Sequence, residues 1–168
     1  MHFSIEEASM NIRTLVISAL VAIPAAVSTQ GLPALQAPVA TMKANVGKVS
    51  SAGERERWQA NASLWEIRAA RTNKLEAADI AKMRPVFDAM GTNVSKISDP
   101  AEKERWQANC EMWRVLLNQT DRIEKPAREQ MRSWLAVMTA NVAKIGAAAE
   151  RERWDANREL WTLLLRLT

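Results

Sequence analysis

The sequence predicts an all-α protein: three tandem helical hairpins of 48-residue period, forming a compact helical array or bundle. Three observations carry this. First, one motif occurs three times: Glu54-Arg55-Glu56-Arg57-Trp58-Gln59-Ala60-Asn61-Ala62-Ser63-Leu64-Trp65, then Glu102 to Trp113, then Glu150 to Trp161. Trp58, Trp106 and Trp154 are 48 residues apart at each step, and a fixed period of this size marks a repeat architecture. Second, a smaller motif precedes each copy: Met42-x-x-Asn45-Val46, Met90-x-x-Asn93-Val94 and Met138-x-x-Asn141-Val142, with Lys48, Lys96 and Lys144 following. Third, helix-start signals separate the segments, and no run alternates polar and apolar residues as a strand would.

At 168 residues the chain has the length of one domain. Its 48% hydrophobic and 25% charged residues are the balance of a folded globular protein rather than a disordered one. The formal charge is +4, but Lys and Arg alternate with Glu. That pattern reads as a solvated helix face, so nucleic acid is not an expected partner.

From the amino terminus, Arg13 precedes an apolar run from Thr14 to Ala26, and Ala26-Val27-Ser28 supplies small residues. This is a secretory signal pattern. Glu6 and Glu7 do not suit a signal's basic start, so Met10 reads as the translation start. The expectation is a signal peptide over 1–28, a short leader over 29–37 and a single repeat domain over 38–168, with copies at about 38–72, 73–120 and 121–168. The apolar run is shorter than the roughly 20 residues of a spanning helix, so no stable membrane span is expected after cleavage. Removing 1–28 takes away Glu6, Glu7 and Arg13 and moves the charge from +4 to +5.

The first helix of copy one is expected to start near Pro33 or Pro38. In copy two, Asp99-Pro100-Ala101-Glu102 reads as an N-cap, a proline at the first position and a capping-box Glu; Ser51-Ala52-Gly53-Glu54 does the same in copy one. Copy three has Ala147 there, and a lost cap costs about 1 kcal/mol. Asn73-x-x-Glu76 and Asp121-x-x-Glu124 predict the starts of long first helices over 74–97 and 122–146. Pro126 fits a first turn, whereas Pro85 predicts a kink or break near Arg84.

At 100° per residue, Trp58, Asn61, Leu64 and Trp65 share one helix face, with Asn61 at its centre and Arg57 and Glu54 flanking. A buried amide must be hydrogen-bonded or it costs about 1–3 kcal/mol. Two readings follow for Arg57, Trp58, Asn61, Trp65, Arg105, Trp106, Asn109, Trp113, Arg153, Trp154, Asn157 and Trp161. In one, the indoles are core and the Asn pairs with backbone, Arg or a facing Asn, fixing register. In the other, the face is open and binds a ligand. Size favours the first, because each Trp buries about 150–250 Å². Counting outward from the turn at 50–52 sets Met42 level with Asn61 and Asn45 level with Trp58. That predicts Asn45, Asn93 and Asn141 beside Trp58, Trp106 and Trp154, accepting their indole N–H. The first helices contribute a stripe of Met83, Val86, Phe87, Met90, Val94 and Ile97, and of Trp134, Leu135, Met138, Val142 and Ile145; their methionines read as packing rather than a soft-metal site.

The only His is His2 and the only Cys is Cys110. Beyond residue 28 this excludes metal sites built on His or paired Cys, Ser-His-Asp and Cys-His catalysis, and an intrachain disulfide. Cys110 aligns with Ala62 and Arg158, so the repeat does not require a thiol. No phosphate loop or dinucleotide fingerprint is present. The expectation is a non-enzyme with no cofactor, exported to the periplasm or extracellular space, acting as an interaction or scaffold module. The alternative is a periplasmic binding or chaperone-like protein with a Trp/Asn-lined groove for a peptide, lipid or glycan. The protein partner is unknown from sequence. The Leu-rich end, Leu163-Leu164-Leu165-Arg166-Leu167, predicts a covered last helix, met either by the first hairpin or by a second copy.

Overall fold

The computed structural model describes residues 32–72, 74–119 and 122–168. The expected signal segment and the expected N-caps Asn73 and Asp121 lie outside them. Six helices follow in order: α1 Pro33–Val46, α2 Ala52–Ala69, α3 Ala77–Ser95, α4 Pro100–Leu117, α5 Lys125–Val142 and α6 Ala148–Leu167. The hairpins are α1–α2, α3–α4 and α5–α6.

The hairpins close on themselves. Each helix packs against its two neighbours in the order α1, α2, α3, α4, α5, α6, and α6 packs against α1 as α2 does against α3 and α4 against α5. The result is a ring with pseudo-threefold symmetry, not an open solenoid. Helices α2, α4 and α6, which carry the Trp motif, surround the axis, and α1, α3 and α5 fill the angles between them. Among the described residues no Cα of α2, α4 or α6 comes within 8 Å of another of the three, because indole rings occupy the space between. Of the C-terminal leucines expected to be covered, Leu164 and Leu165 are buried, Leu163 is half-buried and Leu167 is 51% exposed.

The inner helices start where their caps dictate. The Ser51 side chain accepts from the Glu54 N–H, and the Asp99 side chain accepts from the Glu102 N–H at 2.6 Å. Ala147 offers α6 no side-chain cap.

The outer helices differ from expectation in three respects. α3 and α5 begin at Ala77 and Lys125, with Glu76 and Glu124 at the N-cap, three residues beyond the expected Asn73 and Asp121. Leu75 and Ile123 are buried just before those starts, so the chain stays extended to seat them. Beyond the helix ends, Ile97 and Ile145 are buried in the turns, as is Val49; apolar anchoring shortens the helices at both ends. Second, Pro85 sits inside α3, which runs unbroken through it. The exposed outer side of a packed helix tolerates the one backbone bond that proline removes. Third, α1 starts at Pro33, the earlier of its two expected starts, so residues 33–37 of the expected leader are helical.

Candidate functional site

The twelve motif residues come together on the axis. Trp58, Trp106 and Trp154 form one triad with ring centroids 4.8 Å apart in every pair, edge to face. Trp65, Trp113 and Trp161 form a second, at 4.6–4.8 Å. Seven residues separate the two layers on each helix, about 10 Å of rise. Edge-to-face pairs contribute about 0.5–1.5 kcal/mol beyond their area. All six rings are at most 1% exposed.

Between the triads lies a ring of three fully buried asparagines. Asn61 Nδ2 donates to Asn157 Oδ1, Asn157 to Asn109, and Asn109 to Asn61, each at 3.0 Å. The lower indoles join in the same sense: Trp65 Nε1 donates to Asn157 Oδ1, Trp113 to Asn61 and Trp161 to Asn109, all at 2.9 Å. Each Oδ1 therefore accepts two bonds and each Nδ2 gives at least one. Met42 Sδ lies 3.4 Å from Asn61 Nδ2 and Met138 Sδ 3.6 Å from Asn157 Nδ2, which fits the sequence count that set Met42 level with Asn61.

A third ring sits beyond the upper triad and runs the opposite way. Arg57 Nη2 donates to Glu102 at 2.6 Å, Arg105 to Glu150 at 2.8 Å and Arg153 to Glu54 at 2.7 Å. The same guanidinium groups lie over Trp106, Trp154 and Trp58, each 5.7 Å from the ring centroid. Cation–π attraction and ion pairing thus act on one group. The arrangement leaves the buried Nε of all three arginines without a partner among the described residues.

The expected Asn45–Trp58 pairing does not form. Asn93 donates to Glu56 and Asn141 to Glu104, at 3.0 and 2.9 Å, and Asn45 donates to the Thr41 carbonyl. Lys48, Lys96 and Lys144 then donate to these three Asn oxygens. The amide oxygen that would have accepted the indole N–H is taken in each copy by a lysine ammonium, a charge-assisted donor. The Trp58 N–H is buried with no partner among the described residues.

Cys110 is buried and free, and burial pushes its thiol up to about 12, far from thiolate reactivity. No group of three or more His, Cys, Asp or Glu among the described residues is placed to hold a metal. No described helix is long and apolar enough to cross a membrane. The face proposed as core or ligand site is thus closed around the axis in this structure.

Sequence reasoning missed a second cluster, at the end of the bundle below the Trp65 triad. Arg68, 2% exposed, lines a cavity of about 550 Å³ with Arg71, Lys74, Glu76 and Arg122. Overlaying the copies would have found it, since Arg68 aligns with Leu116 and Leu164. Compared with family models, curated proteins and solved structures, the chain matches none.

Proposed function

We propose that the chain is an exported, non-catalytic helical-repeat protein that serves as an interaction or scaffold module. The observation that carries this is the use made of the repeat: the twelve residues that recur are consumed in closing the core. Repetition then serves rigidity, and the surface on α1, α3 and α5, which differs between copies, is what a protein partner would read. Rigid elements present such surfaces with little ordering cost. Export rests on the signal pattern of residues 10–28.

The test is a crosslinking pull-down of the full chain from the envelope fraction, with the amino terminus of the recovered protein sequenced. A defined crosslinked partner and a start near residue 29 support the reading. Recovery in the cytosol with residues 1–28 intact and no crosslinked partner sinks it. Tryptophan emission separates the groove alternative: buried indoles give blue-shifted emission that quenchers barely reach, whereas red-shifted, ligand-sensitive emission favours a groove.

A further inference from the structure

Among the buried positions of the inner helices, one holds a charge where the other two copies have leucine. The last layer of the inner helices holds Leu116 and Leu164, 5% and 0% exposed, and Arg68 in the third place, 2% exposed. In the layer above, Leu64, Met112 and Leu160 exchange one apolar residue for another. A guanidinium in a leucine layer loses water, which is unfavourable unless it is compensated. Burial accordingly pushes Arg68 down to about 10. A fold that breaks its own rule at one place does so where something other than packing is served.

The surroundings suit that cation to an anion. Arg68, Arg71, Lys74 and Arg122 line one cavity, in which Glu76 is the acidic side chain, and Arg122 Nε also meets the Glu124 carboxylate at 3.3 Å. Arg71 is fixed by two 2.7 Å contacts to Asp79, a residue 4% exposed. Arg68 Nη1 donates to the Arg71 carbonyl at 3.0 Å, and Arg68 and Lys74 make further polar contacts. Each guanidinium has five donors, and such contacts fix its orientation in the cavity wall. Leu32 and Leu167 also line the cavity, and Leu167 is 51% exposed, a rim that suits the organic part of an ester.

We propose that this cavity binds a phosphate-class oxyanion, held by the planar forks of Arg68, Arg71 and Arg122 and the point charge of Lys74. The phosphate group could be free or the headgroup of an anionic lipid, and the experiment separates these. Calorimetric titration and thermal melting of the full chain use inorganic phosphate at fixed ionic strength. Co-sedimentation uses phosphatidylglycerol vesicles against phosphatidylcholine vesicles. Arg68→Leu, which restores the residue of the other two copies, is expected to melt no lower than the parent and to bind about tenfold more weakly or worse, as lost charged hydrogen bonds imply. Arg122→Gln, at the rim, is expected to weaken binding without changing the melt, and it carries the same comparison should Arg68→Leu fold poorly. Saturable binding of free phosphate that these variants lose identifies a soluble oxyanion. Binding to phosphatidylglycerol alone, with the same loss, identifies a headgroup. The proposal is overturned if neither probe binds, or if both variants bind as the parent does.

Discussion

The inner and outer helices use the 48-residue repeat in different ways. α2, α4 and α6 share Glu, Arg, Trp, Asn and Trp at matching positions; each Trp and Asn meets its counterpart in another copy, and each Arg meets a Glu of another copy. α1, α3 and α5 share little beyond Met, Asn and Val. Their polar side chains bind locally or to the preceding inner helix, as Asn93 does to Glu56. A position on the axis faces copies of itself, so it cannot change alone. A position on the outer helices faces something different in each angle, or solvent, and can drift. The recurring residues therefore mark the symmetry axis, and a recognition surface is better sought among residues that vary.

That contrast can be broken most severely on the axis. Asn61→Ala strands Asn109 Nδ2 and Trp113 Nε1, two buried donors that Asn61 Oδ1 now satisfies. At about 1–3 kcal/mol per stranded group, plus a cavity, a loss of about 4 kcal/mol in urea unfolding is expected. Replacing all three asparagines by leucine strands no amide, only the three indole N–H groups of Trp65, Trp113 and Trp161, so it should cost less than three times that. Simple additivity would show that the ring is not the cooperative unit described.

The next test compares the two Trp layers. Trp65→Phe and Trp58→Phe remove similar volume, but only Trp65 gives up a hydrogen bond. Trp65→Phe should be the more destabilising by about 1 kcal/mol; equal midpoints would mean that the bond contributes nothing net.

At the α2–α3 junction, the hydrogen bond from Arg71 holds the buried Asp79 carboxyl below its ordinary value. A depressed carboxyl adds stability above its unfolded value and loses it as pH falls through the folded one. Asp79→Asn should therefore cost about 1–2 kcal/mol at pH 7, and the gap to the parent should close as pH falls below the ordinary carboxylate range. A gap that persists in acid would point to packing instead of charge.

The smallest effect belongs to the outer layer. A methyl added at Gly91, inside α3, would have no neighbour within 4 Å. Gly91→Ala should raise stability by about 0.4–1 kcal/mol, through helix propensity and the unfolded chain, read as a higher melting temperature. A lower one would mean that α3 needs the glycine for close approach.

The sequence made the hairpins, the inner caps and the buried face of Trp58, Asn61 and Trp65 legible, because period and capping are local signals. It did not show what lay across from that face. Helical periodicity says which side is buried, not that three such sides meet on an axis, so a facing asparagine remained one option among several. The expected starts at Asn73 and Asp121 failed because buried Leu75 and Ile123 outweighed a local cap. Arg68 was visible only as a departure from Leu116 and Leu164, and its meaning depended on knowing that these three share a layer.

The directed rings also set how many hairpins the fold can hold. Every hairpin presents Asn61-type donors to one neighbour and acceptors to the other, so its two contact faces differ. Such head-to-tail contacts either close or grow without end; here the turn per hairpin is a third of a circle, and closure comes at three. The chain is in effect a trimer whose subunits are joined in series. A fourth copy appended in the same register would find both faces already occupied. The isolated hairpin 73–120, in turn, carries both halves of the joint and would be complete only in company with two others like itself.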